Sequence, residues 1–349
     1  MGSIQAFLEL VGREDVDYDS ALDMGGVVVS ESESFEESVS RLTAEIRNLT
    51  GVGQAIAFLT TGALLENGAK LLRLDPFVDA YAKAILPALK YMEAVRARGV
   101  AASPDCECAH DELEYLTAEM ELEVAEANPE GFHAWQLLDL LTRGFLSTLL
   151  AYDFRGTLPA DLSENIDFLA KYEVSVHFVR AYLRLLDEEI IVIDPVMLKG
   201  ARVRVSGCAD VFQFHTLLAS ELDFLPAEAE APSDQAVSVV KGDGPTESGH
   251  VVVGPWQFSS WRALAGEFDP EDTTHWIWNE ALPFDIPKLR SERVVVLLAP
   301  RYPRTWSASR LFENVEASVE IVGALDEEQV KTYIDTAIHE LERDIDVAL

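Results

Sequence analysis

Residues 188–207 read EEIIVIDPVMLKGARVRVSG, and the character of the chain changes at this stretch. Val203 and Val205 alternate with Arg202 and Arg204, which is the two-residue period of a half-buried β-strand. Upstream of the stretch, apolar residues recur at helical spacing. Downstream, short runs of β-branched residues are separated by turn-forming residues. The sequence therefore predicts a boundary near residue 190, between a helical domain (1–190) and an α+β domain (191–349).

The upstream part predicts a helix bundle or an irregular helical stack. Ser34 followed by Glu37 is a capping-box pattern, and apolar residues then recur on one helical face. Further apolar helices are predicted over residues 54–74 and 132–149, and a single helix over 166–186. Pro87 is expected to kink or split the helix that begins after Asp75.

The downstream part predicts a mixed β-sheet with flanking helices. Strands are expected in HVVVGP, HWIWNE, RVVVLLAP and ASVEIVG, and helices in DVFQFHTLLASEL and after Asp326. Residues 226–250 are rich in proline and glycine, which predicts a mobile excursion. Because strands and helices do not alternate strictly, the fold class is α+β, with a mainly helical first half.

The charge balance limits the partners that the protein can have. Its 349 residues include 61 acidic and 27 basic residues, for a net charge of −34. Such a field repels nucleic acids and anionic membranes, and it attracts a basic protein. We therefore expect another protein as partner, and neither nucleic acid nor membrane.

Sequence fingerprints of common enzymes and cofactor sites are missing. The chain contains no phosphate-binding loop, no paired-histidine zinc helix and no nucleophile-elbow motif, so no cofactor is predicted. Three cysteines cannot pair completely, and no basic, apolar leader is visible at the start. These features predict a cytoplasmic protein.

Cys106, Cys108 and His110 form the tightest group of metal-ligand residue types. Thiolates and imidazole are ligands that zinc prefers. However, a single residue between the two cysteines is shorter than the spacing of structural zinc sites. A metal site is therefore an alternative interpretation, and a polar surface loop is the simpler one.

Cys208, Asp210 and His215 provide the residue types of a thiol-dependent hydrolase or transferase. Cys208 follows a predicted strand and precedes a predicted helix, whose N-terminus would lower a thiol pKa. His215 and Asp210 would act as base and orienting residue. The alternative is a small buried cysteine, with His215 at the edge of a helix.

Aromatic and basic residues concentrate in one part of the second half. Five of the six tryptophans lie there: Trp256, Trp261, Trp276, Trp278 and Trp306. From 288 to 310, one acid (Glu292) accompanies six basic residues: Lys288, Arg290, Arg293, Arg301, Arg304 and Arg310. A core role with internal ion pairs is the simplest interpretation of this group. The alternatives are a protein interface, where Trp, Tyr and Arg are enriched, and a surface that holds a small anionic or planar ligand.

The candidate partner-binding residues are Arg301, Tyr302, Arg304, Trp306, Trp276 and Trp278. The alternation in HWIWNE places Trp276 and Trp278 on one strand face and Ile277 on the other. We interpret the two tryptophans as facing the core, which makes RYPRTW (301–306) the better candidate for contact with a partner.

The segments KGARVRVSGCADVFQFHTLL (199–218), HWIWNEALPFDIP (275–287) and RVVVLLAPRYPRTW (293–306) resemble an uncharacterised group of bacterial proteins with no known activity. The resemblance implies no catalytic residues. Taken together, these observations favour a non-enzymatic cytosolic binding protein of the adaptor, inhibitor or immunity type. The alternatives are the Cys208/His215 enzyme and the Cys106/Cys108/His110 metal-binding protein.

Overall fold

The computed structural model describes residues 3–102, 117–264 and 273–348. The chain divides into two compact units, Met1–Leu183 and Arg184–Leu349. The first unit is helical and the second is a mixed sheet with helices on both faces, so the predicted α+β class is confirmed. Within the described residues, no helix has both the length and the apolar character needed to cross a bilayer.

The helices described in the first unit are α1 (Ser3–Val11), α2 (Tyr18–Glu31), α3 (Phe35–Glu45), α4 (Gly51–Glu66), α5 (Asp75–Ala102), α6 (Ala118–Ala127), α7 (Pro129–Ala151), α8 (Ala160–Leu169) and α9 (Val174–Leu183). The predicted cap of α3 is confirmed, because Ser34 Oγ accepts a hydrogen bond from the Glu37 amide at 3.2 Å. Helix α5 continues past Pro87.

Helices α4, α5 and α7 build the core of the first unit. Tyr81 of α5 and Phe145 of α7 stack with ring centroids 4.0 Å apart, and the Tyr81 hydroxyl lies 3.1 Å from Thr142 Oγ1. Phe58 of α4 contacts both rings edge-on. Gly144 lets α7 approach α4 closely, since a Cβ at this position would lie 2.3 Å from the Phe58 carbonyl carbon.

Two predicted helix lengths are wrong, and local backbone chemistry explains both. The helix expected over 54–74 ends at Glu66, because Gly68 has a φ of +97° and the Ala69 amide turns back to the Leu64 carbonyl at 3.1 Å. The helix expected over 166–186 is two helices, α8 and α9. Glu173 lies between them and accepts a hydrogen bond from the Ser175 amide at 3.1 Å.

The second unit contains the strands β1 (Leu186–Asp194), β2 (Lys199–Cys208), β3 (Glu247–Val253), β4 (Gln257–Ser260), β5 (Lys288–Leu289), β6 (Glu292–Leu298), β7 (Thr305–Ser309) and β8 (Ser318–Leu325). Its helices are α10 (Val211–Glu221), α11 (Asp234–Lys241) and α12 (Glu327–Ala348). The main sheet has the order β4-β6-β1-β2-β8, with β5 paired to β6, and β3 pairs with β7 separately.

Strand β1 organises this sheet because both of its faces are buried. It pairs antiparallel with β2, from Leu186 opposite Cys208 to Asp194 opposite Lys199, and parallel with β6. Ile190 and Val192 belong to the core beneath α10 and α11. Ile191 and Ile193 belong to the core on the α12 side. The apolar run in the stretch 188–207 is therefore the centre of a three-layer arrangement.

The segment 226–250, where the sequence predicts an excursion, contains α11 and the start of β3. Ala236, Val239 and Val240 of α11 are buried. The Arg310 guanidinium donates to the carbonyl oxygens of Val239 and Pro245 at 2.8 and 2.9 Å, which ties this segment to the end of β7.

Candidate functional site

The stretch 275–280 does not form the predicted strand. It makes one isolated bridge, between Trp276 and Ser259 of β4, and the Ile277 amide donates to the Phe258 carbonyl at 2.9 Å. Ile277 is buried, whereas 46% of Trp278 is exposed. The core-facing interpretation is therefore wrong for Trp278, whereas Trp276 is half-buried. The alternation holds, but the smaller Ile277 enters the core and the two tryptophans point to the other side.

The outward tryptophans meet the stretch 301–306 on the surface. The rings of Trp276 and Trp278 are 5.4 Å apart, and those of Trp276 and Tyr302 are 6.3 Å apart. Arg304 Cζ lies 5.8 Å from each of the three ring centroids. We call Trp276, Trp278, Tyr302 and Arg304 the Trp/Arg cluster. A guanidinium over several aromatic faces is attracted by their quadrupoles, which holds the rings in a defined arrangement.

Trp306, two residues after Arg304, packs against α10 and is not part of the Trp/Arg cluster. It is half-buried, and its indole Nε1 donates to Thr216 Oγ1 of α10 at 3.1 Å. Gly254 passes directly beside the indole, where an added Cβ would lie 2.7 Å from the ring. The Gly254 amide donates to the Arg304 carbonyl at 2.9 Å, which fixes the backbone of the cluster.

His215 of α10 lies in the aromatic core behind the cluster. Its ring stacks on Phe258 at 4.0 Å and lies 5.0 Å from Trp306. Burial lowers the pKa of His215 to about 3, against an opposing contribution from Asn279 and with a smaller lowering by Arg304. The imidazole is therefore neutral at physiological pH.

Two buried polar side chains lie near this imidazole. Asn279 lies beside it and the Trp256 ring is 6.1 Å away, yet neither ring nitrogen of His215 makes a hydrogen bond of acceptable geometry with a described residue. Trp256 Nε1 and Asn279 Oδ1 are likewise buried without such a bond. Ser259 Oγ is a further buried atom of this kind, but it points to the opposite face of β4 from Phe258. No sequence motif marks Ser259 or Asn279, although the alternation that buries Ile277 also places Asn279 on the inward side.

The predicted catalytic group does not have the geometry of an activated thiol. Cys208 ends β2 and is completely buried. Burial, with smaller contributions from Asp210 and Asp187, raises the pKa of the Cys208 thiol well above its usual value. The expected lowering of the pKa is wrong, because burial outweighs any effect of the helix N-terminus. Asp210 is the N-cap of α10 and accepts from the Gln213 amide at 2.7 Å.

Most of the basic run between 288 and 310 is used within the second unit. Lys288 pairs with Glu188 at 3.2 Å and Arg290 with Glu340 at 3.0 Å. Arg293 also pairs with Glu188, and Arg310 binds backbone carbonyls. These contacts neutralise most of the basic charge in this run. Arg304 belongs to the same run and forms part of the Trp/Arg cluster, which has a defined geometry on the surface.

The predicted metal ligands Cys106, Cys108 and His110 lie outside the described residues. Within 3–102, 117–264 and 273–348, no three His, Cys, Asp or Glu side chains converge in a way that could hold a metal ion. The described part of the chain thus presents the Trp/Arg cluster as the candidate functional site. The chain matches no protein-family model, no curated protein and no solved structure.

Proposed function

We propose that the protein is a non-enzymatic cytoplasmic binding protein, of the adaptor, inhibitor or immunity type, that contacts a protein partner through the Trp/Arg cluster. The observation that carries this proposal is the arrangement of three aromatic rings at 5.8 Å around one guanidinium on the surface. Trp278 and Tyr302 expose 46% and 47% of their surface. Large aromatic residues and arginine dominate the energetics of protein interfaces.

Two physical properties suit this cluster to binding. Its rings are held by one another, by Arg304 and by the backbone contact with Gly254, so little side-chain freedom remains to be lost on association. The net charge of −34 would in addition steer a basic protein towards the molecule and speed its association at low salt. A basic partner with an apolar contact surface fits both properties.

Affinity purification of a partner at low and at high salt tests the proposal. Trp278→Ala should weaken the purified complex by about 2 kcal/mol, or roughly 30-fold in Kd, since it removes an exposed ring of the cluster. The matched control is Tyr152→Ala, because Tyr152 is exposed to 44%, close to the 47% of Tyr302, but lies at the end of α7 in the first unit.

Tyr302→Ala should weaken the complex as Trp278→Ala does, whereas Tyr152→Ala should leave Kd unchanged. Circular dichroism of each variant shows whether its fold is intact. The proposal fails if no stoichiometric partner is recovered at either salt concentration, or if the cluster variants bind the partner as tightly as the control.

A further inference from the structure

The first unit contains a cavity that the proposed function does not use. It has a volume of about 200 Å³ and lies where the start of α4 meets α5 and α7. Since a water molecule occupies about 30 Å³ in the liquid, the cavity has the volume of about seven water molecules. This is the size of a small metabolite and not of a nucleotide.

The inner wall of the cavity is apolar. Leu49, Ala55 and Leu141 line it and are buried, and Leu137 completes the wall from α7. A ligand that fills this end would gain the usual free energy of removing apolar surface from water. This wall therefore suits an aliphatic group.

One side of the cavity is suited to an anion. Thr50 is the N-cap of the 16-residue helix α4, and its side chain makes no capping hydrogen bond. The amides in the first turn of α4 therefore receive no hydrogen bond from the Thr50 hydroxyl. Lys83 and His133 also line the cavity. Lys83 makes no ion pair with any carboxylate in the described part of the chain. Amides at a helix N-terminus beside an ammonium group form a favourable site for a carboxylate.

The cavity is also lined by hydrogen-bond acceptors that a ligand could satisfy with a donor group. Gln54 is only 6% exposed; its Nε2 donates to the Ile46 carbonyl at 3.3 Å, and its Oε1 accepts from no residue that the structure describes. Glu130 lines the same cavity. Pro87 supplies no amide to the Lys83 carbonyl one helical turn before it. A carboxylate, a buried amide oxygen and a freed carbonyl together favour a cationic donor.

We propose that this cavity binds a free α-amino acid with an aliphatic side chain. The carboxylate lies at the start of α4 near Lys83, the ammonium group faces Gln54 and Glu130, and the side chain occupies the apolar wall. A ligand that carries only one of the two charges leaves one set of polar groups without its counterpart. Both charges and the aliphatic chain are therefore required.

Titration calorimetry with L-leucine, 4-methylpentanoate and 3-methylbutylamine tests this proposal on the full-length protein. L-Leucine should bind, and the two analogues, which lack the ammonium and the carboxylate respectively, should bind at least about tenfold more weakly. The proposal is overturned if L-leucine, L-valine and L-methionine all fail to bind at up to about 10 mM, or if either analogue binds as tightly as L-leucine.

Two surface variants separate the two charges. Lys83→Met should weaken the binding of L-leucine by about fivefold. Glu130→Gln should weaken the binding of L-leucine but not that of 4-methylpentanoate. Lys90→Met is the matched control, because Lys90 is also exposed on α5 but does not line the cavity, and it should leave Kd unchanged. Equal affinities in all three variants would show that L-leucine binds elsewhere.

Discussion

Ile277 shows how the burial of one side chain sets the orientation of a surface. Its amide is bonded to Phe258 of β4 and its side chain enters the core on that side of the sheet. Because neighbouring residues in an extended segment point to opposite sides, Trp276 and Trp278 lie on the side away from Ile277. There they meet Tyr302 and Arg304, so the burial of Ile277 sets which side of the segment contributes to the Trp/Arg cluster.

Asp210 is a second residue whose environment has a measurable consequence. It caps α10, and burial raises its pKa to about 6, from the usual 3.8. Between these two pH values the unfolded chain releases a proton that the folded chain retains, so stability falls as pH rises from about 4 to about 6. Above that window the cost of the buried charge is present in full.

Asp210→Asn should therefore stabilise the protein at neutral pH. The amide keeps an oxygen that can accept from the Gln213 amide, but it carries no charge to bury. The gain in the free energy of unfolding should be absent near pH 4 and reach at most about 2–3 kcal/mol at pH 7. Urea denaturation at the two pH values measures it.

Asp210→Ala is the control for this prediction. It removes the charge and the cap together, and it should be about 1 kcal/mol less stable than Asp210→Asn. A gain for Asp210→Asn that is equal at both pH values would contradict the assignment of the effect to the buried carboxylate.

At the scale of elements, the packing of α4 against α7 depends on a glycine. The backbone at Gly144 touches the backbone of Phe58 and Leu59, and the Cβ of any other residue would lie within 2.3–2.6 Å of those atoms. Backbone atoms cannot move aside as a flexible side chain can. The two helices would have to separate, and with them the rings of Phe58 and Phe145, which are in edge-on contact.

Gly144→Ala should therefore destabilise the protein by about 1–3 kcal/mol, despite the better helix propensity of alanine. The matched control is Gly26→Ala in α2, where an added Cβ meets nothing within 4 Å. That variant should gain about 0.5–1 kcal/mol from propensity alone. Thermal denaturation distinguishes the two variants, and a similar change in both would contradict the close approach of α4 and α7.

The elements also show how far local patterns could predict this fold. Ser34 and Asp326 cap their helices as expected, because capping bonds join residues that are close in sequence. RVVVLLAP and ASVEIVG contain strands as expected. HWIWNE has the same alternation but makes only one bridge, at the edge of β4 opposite to the one that pairs with β6. How far a neighbouring strand runs alongside this stretch is not encoded in the stretch itself.

At the scale of the whole molecule, the charge of −34 dominates the electrostatics. Most of the described ion pairs, such as those of Arg47 and Arg204, have exposed side chains and contribute little. The excess of negative charge acts over the whole surface, and repulsion within a compact molecule opposes folding.

Stability should accordingly increase with salt. The midpoint of thermal unfolding should rise between ~10 mM and ~500 mM potassium chloride, because the screening length falls to a few ångströms over this range. Sodium chloride should have the same effect if screening, and not binding of a particular ion, is the cause. A fall in the midpoint would show that attractive pairs outweigh the general repulsion.

The sequence by itself determined the helical first half, the mixed sheet that follows, the caps of individual helices and the acidic surface. These features depend on periodicity, on residue chemistry over a few positions and on total charge. Tertiary structure alone decided that Cys208 and His215 are buried, that most of the basic run is paired internally and that Trp276 and Trp278 meet Tyr302 and Arg304 on the surface. Each of these outcomes depends on residues distant in sequence, and burial and pairing are properties of such contacts.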